Sequence, residues 1–214
     1  MCYATDMRSY GQYCPVAKAL DVIGDRWSLL VVRELLIRGP SRYTDLRKGL
    51  PGIATNLLAD RLRELEAAGV VRSEEAKPPV ATTLYSLTER GQELDRVVAA
   101  LGLWGAPLLA EEHPDPAFRS HRMAMAVKAM SDPTPDAAPV AVEVRVDGQE
   151  PMVVETVDGA VRPRAGHAEH ADAVVTGSTL LVVALLTGRL DPATAADRGL
   201  RIEGSRDALQ RILP

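Results

Sequence analysis

Thr55 and Asn56 stand between a tight turn, Pro51-Gly52, and a leucine repeat, Leu58, Leu62 and Leu65. The repeat runs i, i+4, i+7 and predicts a helix over residues 55–68 with one buried stripe. Asn56, Asp60, Arg63 and Ala67 fall on the opposite side, with Thr55 and Ala59 on the flank. An asparagine amide can bond an adenine edge at two points, and arginine guanidinium groups suit phosphate oxygens. The candidate set for such contacts is Arg42, Thr44, Thr55, Asn56, Ala59, Arg63 and Lys77, with Arg42, Arg63 and Lys77 as phosphate contacts. Residues 26–63 carry eight Lys/Arg against three Asp/Glu. The expected partner is double-stranded DNA, whose major groove admits a helix of this kind.

A reading helix needs a scaffold. Apolar spacing at Val16, Ala19, Leu20 and Ile23 predicts a helix over 15–23, with Pro15 in its first turn. A second helix follows over 27–37, with Asp25 or Ser28 as cap and Leu30, Val31, Glu34 and Leu35 at core intervals; Gly39-Pro40 ends it. Residues 44–50 form a short third helix, and Gly69 lets the chain leave the reading helix. Strands over 70–73 and 83–87, joined by 74–82, make a wing. A helix from 88 to about 109 then carries Leu94, Val97, Val98, Leu101, Trp104 and Leu108 on one side. That stripe is longer than a small reading head needs, so a homodimer seam is expected, with packing onto a second domain as the other option. The order is that of a winged helix-turn-helix, residues 1–112.

After a linker over 113–116 the style changes. Residues 118–130 read as a Met-rich helix and 132–139 as a proline-rich loop. Val140, Val142, Val144 and Val146 then alternate with Ala141, Glu143, Arg145 and Asp147, the period of a strand. Further strands are expected over 152–157, 160–164, 173–176 and 200–202. Helices are expected over 178–186, from 191, and over 205–213. This is an α+β domain, residues 117–214.

Other chemistry finds little support. His167-Ala168-Glu169-His170 has metal-like spacing, but Gly166 and Pro163 place it in a loop without a third ligand. There is no nucleophile elbow, phosphate-binding glycine loop or zinc-protease helix, so neither an enzyme nor a cofactor is expected. Two cysteines, Cys2 and Cys14, make no disulfide framework, and the apolar run 180–186 is too short to span a bilayer. A cytoplasmic protein without a membrane partner is expected. Net charge is −4, unevenly spread: residues 1–110 carry 14 basic against 13 acidic groups, and 111–214 carry 11 against 16.

Cys14-Pro15-Val16-Ala17-Lys18-Ala19-Leu20, Gly24-Asp25-Arg26-Trp27-Ser28-Leu29-Leu30, Arg33-Glu34-Leu35, the 43–53 stretch, Arg61-Leu62-Arg63-Glu64-Leu65 and Tyr85-Ser86-Leu87-Thr88-Glu89-Arg90-Gly91 resemble the HxlR-type winged helix-turn-helix regulators. The resemblance implies a homodimeric bacterial transcription factor on a pseudo-palindromic site, with a wing centred on Lys77-Pro78. It also implies a place for Cys14 as an oxidant sensor, a reading weighed against a plain buried thiol. Two departures stand out. Ala54 occupies the position where the family often has Ser, so Thr55 is expected to cap, and Glu74-Glu75 bring negative charge to the wing.

The second domain is similar to the sterol carrier protein fold, through Ala171-Asp172-Ala173-Val174, Leu185-Leu186-Thr187-Gly188, Leu190-Asp191-Pro192 and Gly199-Leu200-Arg201-Ile202-Glu203-Gly204. That similarity implies an apolar pocket for a hydrophobic small-molecule effector, lined by Met123, Val127, Met130, Leu181, Ala184 and Leu185. An ordinary core filled by the same residues is the plainer option. Two other functions stay open: a carrier of lipid or another hydrophobic ligand whose helix-turn-helix serves assembly alone, and a regulator answering to Cys14.

Overall fold

In a computed structural model the chain divides into two compact units, Met1–Asp95 and Arg96–Pro214. The structure describes residues 9–76, 82–105, 138–158 and 160–213, with 108, 123, 127 and 128 as isolated positions. The expected linker 113–116, most of the Met-rich helix, Cys2, Lys77 and Met130 lie outside the described residues.

The first unit opens with α1 (Pro15–Ile23), α2 (Ser28–Arg38), β1 (Ser41–Arg42), α3 (Tyr43–Gly49) and α4 (Thr55–Ala67). Strands β2 (Val71–Glu75) and β3 (Thr83–Leu87) follow, and then α5 (Glu89–Gln92) and α6 (Leu94–Gly105), which runs across the division between the units. Val31, Val32, Leu35, Leu46, Leu58, Leu62 and Leu65 are the buried core, as their helical spacing requires. The strands form one sheet in the order β1-β3-β2, with β2 and β3 antiparallel from Val71↔Leu87 to Glu75↔Thr83. Strand β1 is two residues long, too short to leave a period in the sequence.

Three expectations need correction. Neither Asp25 nor Ser28 caps α2 with its side chain: Trp27 is the N-cap at φ 85°, and Ser28 is buried with its N–H donating to the Asp25 carbonyl at 3.1 Å. Leu30 is 39% exposed, while Glu34, on the same helix, is fully buried between Arg33 and Arg38. The helix expected from 88 onward is broken at Glu93 into α5 and α6. Its start matches the sequence: the Thr88 hydroxyl accepts from the Gly91 N–H at 3.1 Å and donates to the Gly69 carbonyl at 2.6 Å. Gly91 is required there, because a Cβ would stand on the Val70 carbonyl oxygen. Gly69 turns the chain at φ 71°.

The second unit holds β4 (Ala141–Val146), β5 (Met152–Val157), β6 (Ala160–Ala165), β7 (Ala173–Gly177), α7 (Thr179–Leu186), α8 (Pro192–Asp197), β8 (Arg201–Gly204) and α9 (Arg206–Gln210). Its sheet runs β6-β5-β4-β7-β8, antiparallel except for the β4/β7 pair. Val142, Val144, Val146, Met152, Val154 and Val175 are buried on the face over which α7 and α9 pack, with Leu185, Leu186, Leu209 and Ile212. Asp191 caps α8 by accepting from the N–H groups of Ala193 and Thr194, each at 3.0 Å. Among the described residues no helix is long and apolar enough to cross a membrane.

Candidate nucleic-acid interface

Helix α4 sits with Leu58, Leu62 and Leu65 buried, which leaves Thr55, Asn56 and Arg63 exposed and Ala59 half-buried. Ala54, not Thr55, is its N-cap, and no side chain caps the helix. Thr55 is the first helical residue, so its side chain is not used for capping. The start of the helix is held another way: the Tyr43 hydroxyl donates to the Thr55 carbonyl at 2.6 Å. Tyr43 opens α3, so one hydrogen bond ties the first turn of α4 to the helix before it. Arg42, extended before α3, and Thr44 in its first turn are both exposed. Arg47 and Lys48, in the last turn of α3, are exposed as well and add to the basic character of this part of the unit.

Arg63 is 73% exposed and pairs with Asp60 one turn back on α4. The pair keeps the guanidinium on the outer side of the helix without burying it. Arg61 does the opposite. It is 5% exposed on the leucine side, pairs with Asp25 and Glu64, and so anchors α4 to the α1–α2 connection. The signal for Arg61 was present, since position 61 is i+3 from Leu58, on the buried stripe. Tyr43 carried no comparable periodic signal, because its role depends on the angle between α3 and α4.

The far end of α4 is fixed to the wing: Glu66 accepts from both the N–H and the hydroxyl of Ser73, at 3.0 and 2.6 Å. Burial first, then the charges of Glu66 and Tyr43, push the Tyr85 phenol above its ordinary value and keep it neutral. Glu74 and Glu75 are exposed on β2, and Arg72 is engaged by Ser86 at 3.1 Å and Glu74 at 3.3 Å. The described part of the wing therefore presents no unpaired cation, and Lys77 lies outside it.

Cys14 is half-buried as the N-cap of α1, with its carbonyl accepting from the Lys18 N–H at 2.9 Å. Of the residues expected to line a pocket in the second unit, Met123, Val127 and Leu185 are buried, and Leu181 and Ala184 are half-buried. His167 is not part of a metal cluster among the described residues: its Nδ1 lies 2.9 Å from Glu143.

The HxlR-like helix-turn-helix family model matches residues 22–113. The uncharacterized HTH-type transcriptional regulator sll1512 of Synechocystis is 36% identical over 102 residues, 48% of this chain and 75% of that protein. The uncharacterized HTH-type transcriptional regulator YvaP of Bacillus subtilis is 33% identical over 108 residues, 50% of this chain and 94% of that protein. The reduced form of the transcriptional regulator YodB from B. subtilis is a solved structure 28% identical to the chain. It covers 48% of this chain and 100% of its own, with a TM-score of 0.40. The family match stops at residue 113, so about half of the chain lies beyond it.

Proposed function

The chain belongs to the HxlR-like helix-turn-helix family, and from that premise we propose that it regulates transcription as a homodimer on a pseudo-palindromic operator. Each protomer lays the Thr55/Asn56 end of α4 in the major groove, with Arg42 and Arg63 on flanking phosphates and Thr44 and Ala59 beside the groove. The observation that carries this reading is the exposed polar start of α4, held from behind by the Tyr43 hydroxyl. Exposed apolar side chains on α6, Val97, Leu101 and Trp104, support pairing of two reading heads. Lys77 is assigned a phosphate contact from the wing.

The second unit is assigned the sensing of a hydrophobic effector, bound between α7 and the segment carrying Met123, Val127 and Met130. Its mixed sheet covered by α7, and the sequence motifs that resemble those of the sterol carrier fold, support this. An effector controls DNA binding only through unequal affinity for the two states. Ala184→Phe should abolish effector response and spare operator binding. The proposed compartment is the cytoplasm, where the DNA is.

A gel shift of the full chain with its own upstream DNA tests the main reading. A retarded band that survives non-specific competitor is expected, and its absence would turn the reading toward a ligand carrier. Loss of an oxidant response in Cys14→Ser would move sensing to α1.

A further inference from the structure

The second unit contains a cleft of about 380 Å³ beside its edge strand β8, between α8 and α9. Its size falls at the lower end of small-ligand sites, roughly 300–1,000 Å³. The space exists because α8 turns alanines toward it: Ala193 and Ala196 are three residues apart and lie on one side of the helix. Leu209, fully buried, and Ile202, half-buried, give the cleft an apolar floor. Arg206 and Gln210 line it from α9, four residues apart, and both are exposed at the rim. Among the described residues Arg206 has no carboxylate partner. The nearby Asp191 carboxylate is taken up by the α8 cap and by the Thr194 hydroxyl at 2.6 Å.

An apolar trough with one uncommitted guanidinium and one amide at its rim selects a particular ligand chemistry. A bare inorganic anion would leave the trough unused, and a hydrocarbon would leave the guanidinium unused. We propose that this cleft binds a small amphipathic carboxylate. The apolar chain lies between α8 and α9 over Leu209 and Ile202, and the carboxylate sits on the Arg206 guanidinium with the Gln210 amide donating beside it. Arginine suits the carboxylate because its planar fork can donate two parallel bonds. The cleft shares no lining residue with the effector site proposed beside α7.

Calorimetric titration of the full chain with octanoate, and with octanamide as the uncharged comparator, tests the assignment. Octanoate should bind saturably at one site per chain. Arg206→Gln should weaken it by about tenfold or more, the usual cost of a lost charge-assisted hydrogen bond, and leave octanamide binding unchanged. Ala196→Phe should fill the trough and remove both ligands. Leu181→Trp, on α7 and outside the cleft lining, should bind octanoate as the parent does. Saturable heat absent for octanoate, equal affinity in Arg206→Gln, or loss of octanoate binding in Leu181→Trp would each overturn the proposal. Arg206 is exposed, so that variant keeps the test decisive even where Ala196→Phe fails to fold.

Discussion

In the proposed reading Asn56 and Tyr43 divide one task, the exposed amide meeting bases while the Tyr43 hydroxyl holds the start of α4 in place. Asn56 is exposed in the first turn of α4 and supports no other described element. Asn56→Ala should therefore leave the unfolding free energy within about 0.5 kcal/mol of the parent's. Operator affinity should fall by about 1–3 kcal/mol of lost discrimination, with non-specific DNA binding retained. Competition gel shifts read both numbers, and an unchanged operator affinity removes Asn56 from the interface. Tyr43→Phe deletes only the hydroxyl that donates to the Thr55 carbonyl. It should cost about 0.5–1.5 kcal/mol in thermal unfolding and weaken operator binding without changing which bases are preferred. The exposed face of α4 was legible because three leucines fix its buried side. The Ala54 cap was not, since alanine has no side-chain group to signal it, and the Tyr43 brace was not, since it depends on an inter-helix angle that no local pattern encodes.

At the scale of elements, α6 carries the most information about assembly. Val98 is buried, whereas Val97, Leu101, Leu103 and Trp104 are 40%, 47%, 48% and 75% exposed. Such a cluster of exposed apolar side chains on one short helix supports the proposed dimer seam. Helix α1 repeats the pattern: Val16 and Leu20 are 66% and 41% exposed, and only Ala17 and Ile23 turn inward. Helical periodicity showed both apolar stripes but not which way they face, because burial in a core and burial in a dimer leave the same spacing. Leu101→Glu with Trp104→Glu should convert a dimer to a monomer by light scattering at micromolar concentration. Each monomer should keep the parent's circular dichroism spectrum, because these side chains support no described core, and melt at the lower temperature expected once the stabilisation from association is lost. DNA retardation should fall sharply, since a paired site then contacts one reading head at a time. A variant that stays dimeric places the seam elsewhere.

For the whole molecule, two units with separate cores predict two separable responses to acid. Alternating valines made the sheet of the second unit legible, and Asp191 with Pro192 marked the start of α8. The β4/β7 parallel pairing was not legible, because it joins segments about thirty residues apart with no shared local signal. On the sheet face opposite α7 lies Glu143, 2% exposed. Burial alone would raise its pKa. The Arg145 guanidinium at 2.7 Å, the Ala168 N–H at 3.0 Å and His167 at 2.9 Å outweigh burial and hold it at about 2, below its ordinary 4.5. A depressed folded value means that the carboxylate stabilises the fold above pH 4.5 and loses that contribution as pH falls toward 2. The difference amounts to about 3 kcal/mol. In Glu143→Gln the second unit should unfold at lower temperature at pH 7, with the gap to the parent closing between pH 4.5 and 2. Operator binding at pH 7 should persist, because the reading head has its own core. Circular dichroism melts across that range, paired with a gel shift at neutral pH, check both halves. A gap that stays constant with pH would mean that the Glu143 charge does not stabilise the fold.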